Sequence, residues 1–505
     1  MKNITKLSLL IFSFVFIMSC DNEFDEMNKS KTGATSIDPV FILNRAAINS
    51  SFPASTLIFE MGIVQQIISP NSGVLTGANY NQDNRASTQV NWQTYYRNVI
   101  RDTKDIISQT TDDPARANLL NMARILQAHA FMVLTDSYGD IPYTDGGDGY
   151  NTQIFFPAYD TQESIYPKLI QELSEASAAL SASGKVETAD VLYGGDVAKW
   201  KKFGYSLMLR AGMRLSEANA SLAQSTVAAA FNGGPILDNA DNVYVRHDAN
   251  YSNPLGATLN STEAANIYLA KPFVDVLQAT NDPRLSAIAI RYVGATSGPT
   301  QVVEVGSYEA DDQIGMPMGH DNGTVAAAAE ADGLASFYDY SQVDRRRMTS
   351  RAAPAFFVTA AQTNLLLAEA RFRGWITTGS AAQYFSDGIA AHMDQLATFD
   401  AASAVAATDR DDYIAANPLE AGTELEQINV QYWIASFLNG PEAFANFRRS
   451  GFPVLEVNPY PGKEVDFINR LTYPNSEISV NTENVNAAIA TQGPDDLATK
   501  VWWHK

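Results

Sequence analysis

Long stretches with an apolar residue at every third or fourth position constrain the fold of this 505-residue chain more than any other feature. Between residues 162 and 180, Ile165, Leu169 and Leu173 fall on one face of a helix, while Glu172 falls on the opposite face. A helix with one apolar face needs a partner to cover that face. Six segments with this pattern predict helices, at 115–139, 162–180, 196–218, 353–375, 380–397 and 424–440.

Residues that favour helix ends lie beside several of these segments. Asp196 and Ser380 are predicted N-caps, because a side-chain oxygen at that position accepts a hydrogen bond from a free backbone N–H. Gly374 and Gly440 are predicted to end their helices, because glycine adopts the left-handed conformation readily.

The predicted helices come as adjacent pairs, 92–108 with 115–138, 162–181 with 196–219, and 354–374 with 381–397. Small residues such as Ala128, Ala368 and Gly388 stand where paired helices would approach each other closely. This organisation is typical of tetratricopeptide-type proteins, although no strict 34-residue period repeats. We therefore expect a mainly α-helical fold built on a tetratricopeptide-like helix-pair scaffold.

Two regions depart from the helical pattern. Residues 232–352 are rich in Gly, Asn, Asp and Pro, with only short helical pieces such as 270–279. After Gly451, prolines at positions 453, 459, 461 and 474 predict a loop-rich C-terminal tail. We expect residues 38–505 to form a single domain with a long irregular excursion at about 232–352. Irregular segments of this length usually carry function.

The N-terminus has the pattern of an exported and lipidated protein. Lys2 and Lys6 precede an apolar run, Leu7 to Met18, that is shorter than the roughly 20 residues of a membrane span. Cys20, the only cysteine, follows this run directly and cannot form an internal disulfide. The sequence predicts a signal peptide at 1–19, lipid attachment at Cys20, and a flexible tether at 20–37. An ordinary secretory signal is the alternative.

The charge balance excludes one class of partner. The chain has 35 basic and 56 acidic residues, a formal net charge of −21. Nucleic-acid affinity depends on Lys and Arg side chains that neutralise phosphates, so no nucleic-acid partner is expected. The same charge disfavours an anionic membrane surface, and attachment to a membrane would have to come from the lipid.

The sequence contains no recognisable catalytic or cofactor motif. No P-loop, dinucleotide fingerprint or nucleophile elbow is present, and no two of the five histidines are close in sequence. We therefore expect no cofactor, no metal and no enzymatic activity. Asp145 and Asp148, in the stretch "YTDGGDGYN", suit either a calcium ion or a polar turn, and we favour the turn.

Aromatic residues in polar, irregular surroundings are the best candidates for ligand contacts. A ring stacks on the apolar face of a sugar, and neighbouring amides and carboxylates bind the sugar hydroxyls. The alternative for each residue is that its ring only holds its loop against the body. The predicted substrate-binding residues are Tyr80, Asn81, Tyr251, Tyr308, Tyr338 and Tyr340.

Several motifs together resemble the SusD/RagB family of nutrient-binding outer-membrane lipoproteins. The main one is "ARILQAHAFMVLTDSYGDIPYTD" at 123–145, a helix that runs into a turn. Others are "DVLYGGDVAKWKKFGYSLMLRAGMR" at 190–214 and "FRRSGFPVL" at 447–455. The acids after Cys20 are similar to the surface-export signal of Bacteroidetes lipoproteins. The resemblance covers essentially the whole chain.

This resemblance implies a SusD-like fold and a role in uptake. The protein would capture a nutrient outside the outer membrane, held by its lipid anchor, and pass it to a SusC-type TonB-dependent transporter. It would break no bond and need no cofactor. The family's ligand site lies in variable loops, so the motifs themselves assign no contact residue.

Four functions remain open on the sequence alone. The first is binding of a glycan or oligosaccharide, and the second is binding of a peptide, which loop tyrosines also suit. The third is a surface glycoside hydrolase, which needs two carboxylates at the right separation. The fourth is a scaffold that associates with the transporter and has no ligand of its own.

Overall fold

A computed structural model describes residues 37–71 and 78–504, and this part of the chain is mainly α-helical, as predicted. The predicted signal peptide, Cys20 and the tether up to residue 36 lie outside the described residues. The α-helices are Pro39–Asn49, Ala54–Ile63, Arg85–Tyr95, Arg101–Thr110, Ala117–Tyr138, Gly149–Thr152, Gln162–Ala179, Val197–Arg214, Ala220–Gly233, Pro254–Leu259, Lys271–Ala279, Arg284–Ile288, Val325–Ala331, Ala360–Phe372, Ala381–Gln395, Ala407–Ala416, Glu424–Ala435, Gly440–Ser450, Asn475–Val480 and Thr482–Gln492.

The strands are short and antiparallel, and they tie the excursion to the helical body. Ile67–Ile68 pairs with Tyr268–Leu269, and Val243–Val245 pairs with Ala355–Val358. A third sheet places Ala289–Tyr292 between Gly306–Ser307 and Gln342–Val343. The compact unit that contains these elements spans Pro39–Lys505. Over the described ranges, no helix combines the length and the apolarity that crossing a membrane requires.

The predicted helix pairs are present. Ala117–Tyr138 packs on Arg101–Thr110 and on Gln162–Ala179, which packs in turn on Val197–Arg214. Ala360–Phe372 packs on Ala381–Gln395. At this last contact a Cβ on Gly388 would lie 2.7 Å from Leu365 Cγ, so the small residue permits the close approach.

Three of the four predicted helix ends are confirmed and one is wrong. Asp196 accepts hydrogen bonds from two backbone N–H groups, and Ser380 accepts one. Gly374 has a φ of +75° just after Phe372. Gly440 does not end a helix, because the preceding helix stops at Ala435 and Gly440 starts the next one. Leu438, with a φ of +66°, turns the chain between the two helices.

The excursion has two small apolar clusters of its own. One contains Tyr268, Met316 and Tyr340, and the other contains Ile290 and Tyr292. Both are separate from the main core, which runs through the paired helices. The irregular segment is therefore held together by these two small clusters rather than by the packing of paired helices.

Candidate ligand-binding site

Asn81 follows a short 3-10 turn, Ala78–Tyr80, and ties this turn to the C-terminal tail. Its side-chain amide donates to the carbonyl oxygens of Val465 and Asp466, at 3.1 and 2.6 Å. Its own carbonyl accepts from the Glu464 N–H at 3.0 Å. Asn81 is buried and has a φ of +48°, a conformation that asparagine tolerates better than most residues. Its side chain holds two loops together.

Tyr80 stacks on Tyr460, a residue of the tail. The ring centroids are 4.2 Å apart and the ring planes differ by 28°. The Tyr80 hydroxyl donates to the Pro70 carbonyl at 3.2 Å, and the Tyr460 N–H donates to Asn458 Oδ1 at 3.0 Å. Burial, together with the nearby Asp321 carboxylate, raises the pKa of Tyr80 to about 12. The two rings thus form a fixed aromatic pair, with Tyr460 partly exposed to solvent.

Amide and ammonium groups accompany this tyrosine pair on the same two loops. Gln82 Nε2 donates to the Gly462 carbonyl at 2.7 Å, and Lys463 Nζ donates to the Asn458 carbonyl at 3.1 Å. Aromatic faces beside such groups are what recognition of a polyhydroxylated ligand needs.

A cavity of about 490 Å³ lies along the same tail segment. Pro459, next to Tyr460, lines this cavity, and a Cβ on Gly319 would lie 2.5 Å from Pro459 Cγ. The loop that contains Gly319 therefore packs directly on the tail. The rigid or apolar side chains in the wall are Pro272, Val276, Pro317, Met318, Pro453, Val454, Leu455, Val457 and Pro459.

Gln65 lies in this cavity wall and ties it to the tail. Its Nε2 donates to the Glu456 carbonyl at 2.8 Å, while its buried Oε1 has no partner among the described residues. Leaving a buried acceptor unsatisfied costs about 1 to 3 kcal/mol. Gln65 also has a φ of +54°.

A larger cavity, of about 640 Å³, shares Val454 and Leu455 with the first. Arg448 in its wall donates to the carbonyl oxygens of Phe444, Asn469 and Asp136. That guanidinium is already engaged. The smaller cavity is the candidate ligand site, because Pro459 in its wall is adjacent to Tyr460 of the tyrosine pair.

Two other predicted residues, Tyr308 and Tyr338, both lie against the small cluster of the excursion that contains Tyr292. The Tyr308 hydroxyl accepts from Arg346 at 2.8 Å. The Tyr338 ring stacks on Phe337, with centroids 4.1 Å apart. The structure thus brings these two residues near one cluster, apart from the turn that holds Tyr80.

Tyr340 and Tyr251 have opposite environments. Tyr340 is fully buried, and its hydroxyl donates to Asp332 Oδ2 at 2.6 Å. Tyr251 is 60% exposed, and its backbone N–H donates to Asp248 Oδ1 at 2.9 Å. The buried ring of Tyr340 offers no face to a ligand, whereas the exposed ring of Tyr251 does.

Sequence reasoning missed Tyr460 and Gln65. Tyr460 stands in "NPYPG" at 458–462, so the criterion that selected Tyr80, an aromatic residue among turn-forming residues, selects it too. Gln65 has no such signal, because its importance comes from a cavity built by three distant segments.

The polar loop at Asp145 and Asp148 is a turn. Asp148 Oδ1 accepts from Asn151 Nδ2 at 2.7 Å, and its carbonyl accepts from the Thr152 N–H at 3.0 Å. Within residues 37–71 and 78–504, no group of three His, Cys, Asp or Glu side chains is placed to hold a metal ion.

Comparison with solved structures finds close overall similarity. A chitin-binding protein is 30% identical, with a TM-score of 0.82, and the match covers 92% of this chain and all of that one. A SusD homologue from Bacteroides uniformis is 25% identical, with a TM-score of 0.73 and coverage of 93% and 100%. A chitin-binding SusD homologue from Flavobacterium johnsoniae is 22% identical, with a TM-score of 0.74 and coverage of 92% and 97%. No curated protein matches the chain.

A protein-family model matches residues 31–474, which is most of the chain. The model is named SusD-like and is described as "starch-binding associating with outer membrane". The resemblance inferred from the motifs is confirmed, and the chain belongs to this SusD-like family of binding proteins.

Proposed function

We propose that this protein binds a glycan at the bacterial cell surface and passes it to a SusC-type TonB-dependent transporter. A lipid on Cys20 would hold it on the outer face of the outer membrane. The protein would capture its ligand without cleaving it. The family match supports glycan binding and association with the outer membrane.

The observation that carries this proposal is the tyrosine pair next to a proline-rich cavity. Tyr460 is partly exposed and its ring is held in place by stacking on the buried Tyr80, while Pro459 beside it lines the cavity. A cavity of about 490 Å³ falls within the usual range for small-ligand sites, about 300 to 1,000 Å³.

We further propose a glycan that carries acetamido groups, of the chitin class. The methyl group of an acetamido group suits the proline-rich wall, and its N–H can donate to a carboxylate in the same wall, such as that of Glu456. The 30%-identical relative is called a chitin-binding protein, and the same ligand class fits the site described above.

Replacing Tyr460 by alanine is expected to weaken glycan binding by about 30-fold. Truncating a central aromatic residue of a binding site typically costs about 2 kcal/mol or more, and each 1.4 kcal/mol corresponds to a factor of ten. Calorimetric titration of residues 21–505 with chitohexaose would measure the change. Tyr460→Phe keeps the ring and is expected to bind as the unchanged protein does.

Tyr384→Ala is a matched control, because Tyr384 is partly buried but lies on the helix Ala381–Gln395, away from the tail. An equal loss in this variant, or none in Tyr460→Ala, would contradict the assigned site. Maltohexaose and mixed peptides belong in the same panel. Binding of a peptide but of no glycan would favour the peptide alternative. Reducing ends released from a glycan during the titration would favour the glycoside hydrolase alternative.

Tyr251, Tyr308 and Tyr338 stay predictions of ligand contact. Single alanine variants of these residues test them in the same titration. Tyr340→Ala is unsuitable because this side chain is buried, and its loss would change folding as well as binding.

Replacing Cys20 by alanine is expected to move the protein from the membrane fraction to the soluble fraction. Each lipid methylene buried in the bilayer contributes about 0.8 kcal/mol, so losing the acyl chains removes the anchor. Cell fractionation and immunoblotting would measure the distribution. A Cys20→Ala protein that still sediments with membranes would contradict lipid attachment at this residue.

A further inference from the structure

A third cavity, of about 400 Å³, lies between the N-terminal helices and the loop 142–157. Its wall contains four aromatic side chains, with Trp92 and Tyr96 on the helix side and Tyr150 and Phe155 on the loop side. None of these residues belongs to the ligand site assigned above. The cavity therefore has no role in the proposed function.

The helix that forms one wall is distorted at the cavity. Between Arg85–Tyr95 and Arg101–Thr110 the backbone makes one π-helical turn, Tyr96–Ile100. Such turns are rare and occur frequently at functional sites. Arg97 lies within this turn, is exposed, and makes no hydrogen bond or ion pair with any described residue. The distortion thus presents an available guanidinium to the cavity.

Glycines let the opposite loop lie directly on this turn. A Cβ on Gly146 would lie 2.9 Å from Tyr96 Cε1, and one on Gly147 would lie 2.6 Å from Ile100 Cγ2. Gly147 also has a φ of +76°, which favours glycine. The stretch "DGGDG" is therefore explained by close packing that shapes the cavity.

The loop beyond these glycines exposes large apolar side chains. Tyr150 is 87% exposed, Phe155 is 68% exposed and Phe156 is 58% exposed. A contiguous set of exposed aromatic residues usually marks a binding surface. Two of these rings, Tyr150 and Phe155, line the cavity.

Two guanidinium groups, those of Arg97 and Arg101, line the cavity although the chain as a whole is acidic. Asp102 is buried and is paired with Arg45 at 2.6 Å and with Arg101 at 3.0 Å, so two guanidinium groups share one carboxylate. Arg97 adds a further positive charge. Glu477, the one acid in the cavity wall, already accepts from the Tyr159 hydroxyl at 3.0 Å.

We propose that this cavity is a second ligand site, which takes the carboxylate-bearing ring of an acidic sugar, a hexuronate. Arg97 would bind the carboxylate, with Arg101 beside it, and the aromatic side chains would cover the ring face. The cavity is built from a helix, a turn and a loop. It lacks the strand edge that commonly binds an extended peptide, so a compact ring fits it better.

Titration with digalacturonate, and with its dimethyl ester as a neutral counterpart, would test this proposal. The protein of residues 21–505 is expected to bind the acid at least tenfold more tightly than the ester. Arg97→Gln is expected to weaken binding of the acid by at least tenfold and to leave binding of the ester unchanged. Because Arg97 has no partner in the described structure, this variant is expected to fold normally.

Arg351→Gln is the matched control, since Arg351 is also exposed and its side chain makes no contact of this kind among the described residues. Equal effects of the two substitutions would overturn the proposal, as would equal binding of acid and ester. Binding of a dipeptide such as Ala-Phe, lost in Arg97→Gln, would overturn the assignment to a sugar. Tyr460→Ala is expected to leave digalacturonate binding unchanged. The digalacturonate titration therefore tests this second site separately from the proposed chitin site beside Tyr460.

Discussion

Replacing Arg214 by methionine is expected to destabilise the protein by about 3 to 5 kcal/mol. The guanidinium is fully buried and pairs with Glu442 at 2.5 Å and with Asp136 at 3.1 Å. Removing it leaves Asp136 without its ion-pair partner and leaves Glu442 with Arg210 alone. Breaking a buried ion pair on one side is among the most costly single substitutions, because the remaining charges cannot regain water.

The surrounding hydrogen bonds explain why these charges are kept in place. Asp136 also accepts from the Tyr166 hydroxyl and from Trp503 Nε1, and Glu442 accepts from the Tyr432 hydroxyl. Although burial opposes ionisation, Arg210 and Arg214 lower the pKa of Glu442, which stays charged. The network thus joins five helices to the last residues of the chain.

Urea unfolding at neutral pH, followed by circular dichroism, would measure the loss. Arg410→Met is the control, because Arg410 pairs with Asp394 and Asp411 at the surface, where such pairs contribute about 0 to 1 kcal/mol. Equal shifts in the two variants would show that the buried network contributes no more than a surface pair.

The sequence was sufficient to predict the main helices, but not the buried network of ion pairs and hydrogen bonds around Arg214. Amphipathic periodicity and caps such as Asp196 act within one segment, and these predictions were confirmed. The helix Thr482–Gln492 was missed because the prolines before it predicted a loop-rich tail throughout. The contact of Trp503 with Asp136 spans 367 positions, and no local pattern indicates it.

The candidate site shows the same limit. Tyr80 was selected from its polar neighbours, but its stacking partner Tyr460 comes from the other end of the chain. Asn81 was expected to bind a ligand, and in the structure its amide binds two backbone carbonyls. Whether the guanidinium of Arg97 is free depends on which neighbours reach it, and only the tertiary structure decides that.

Replacing Glu60 by glutamine is expected to stabilise the protein increasingly as the pH rises from 5 to 8. Glu60 is fully buried, and burial raises the pKa of its carboxyl to about 8, against the opposing effects of Ser137 and Arg448. Its Oε1 accepts from the Ser137 hydroxyl at 3.0 Å, while Oε2 has no partner among the described residues. The nearby Arg448 is engaged with backbone carbonyls.

The direction of the pH effect follows from proton binding. Below the unfolded pKa of about 4.5, both states carry the proton and Glu60 has no effect on stability. Between about 4.5 and 8, the folded state binds a proton that the unfolded state has released, so folding becomes less favourable as the pH rises. At about 1.4 kcal/mol per pKa unit, the loss between pH 5 and pH 8 is about 3 to 4 kcal/mol.

Glutamine has no proton to lose, so Glu60→Gln should escape this loss. Urea unfolding of both proteins at pH 5, 6, 7 and 8 would give the difference in free energy of unfolding at each pH. Glu330→Gln, a change at an exposed glutamate, is expected to show no such trend. A constant difference between Glu60→Gln and the unchanged protein across this range would mean that Glu60 does not change its protonation on unfolding there. In that case the carboxylate would be charged in the folded protein, and some group would have to balance its charge in the interior.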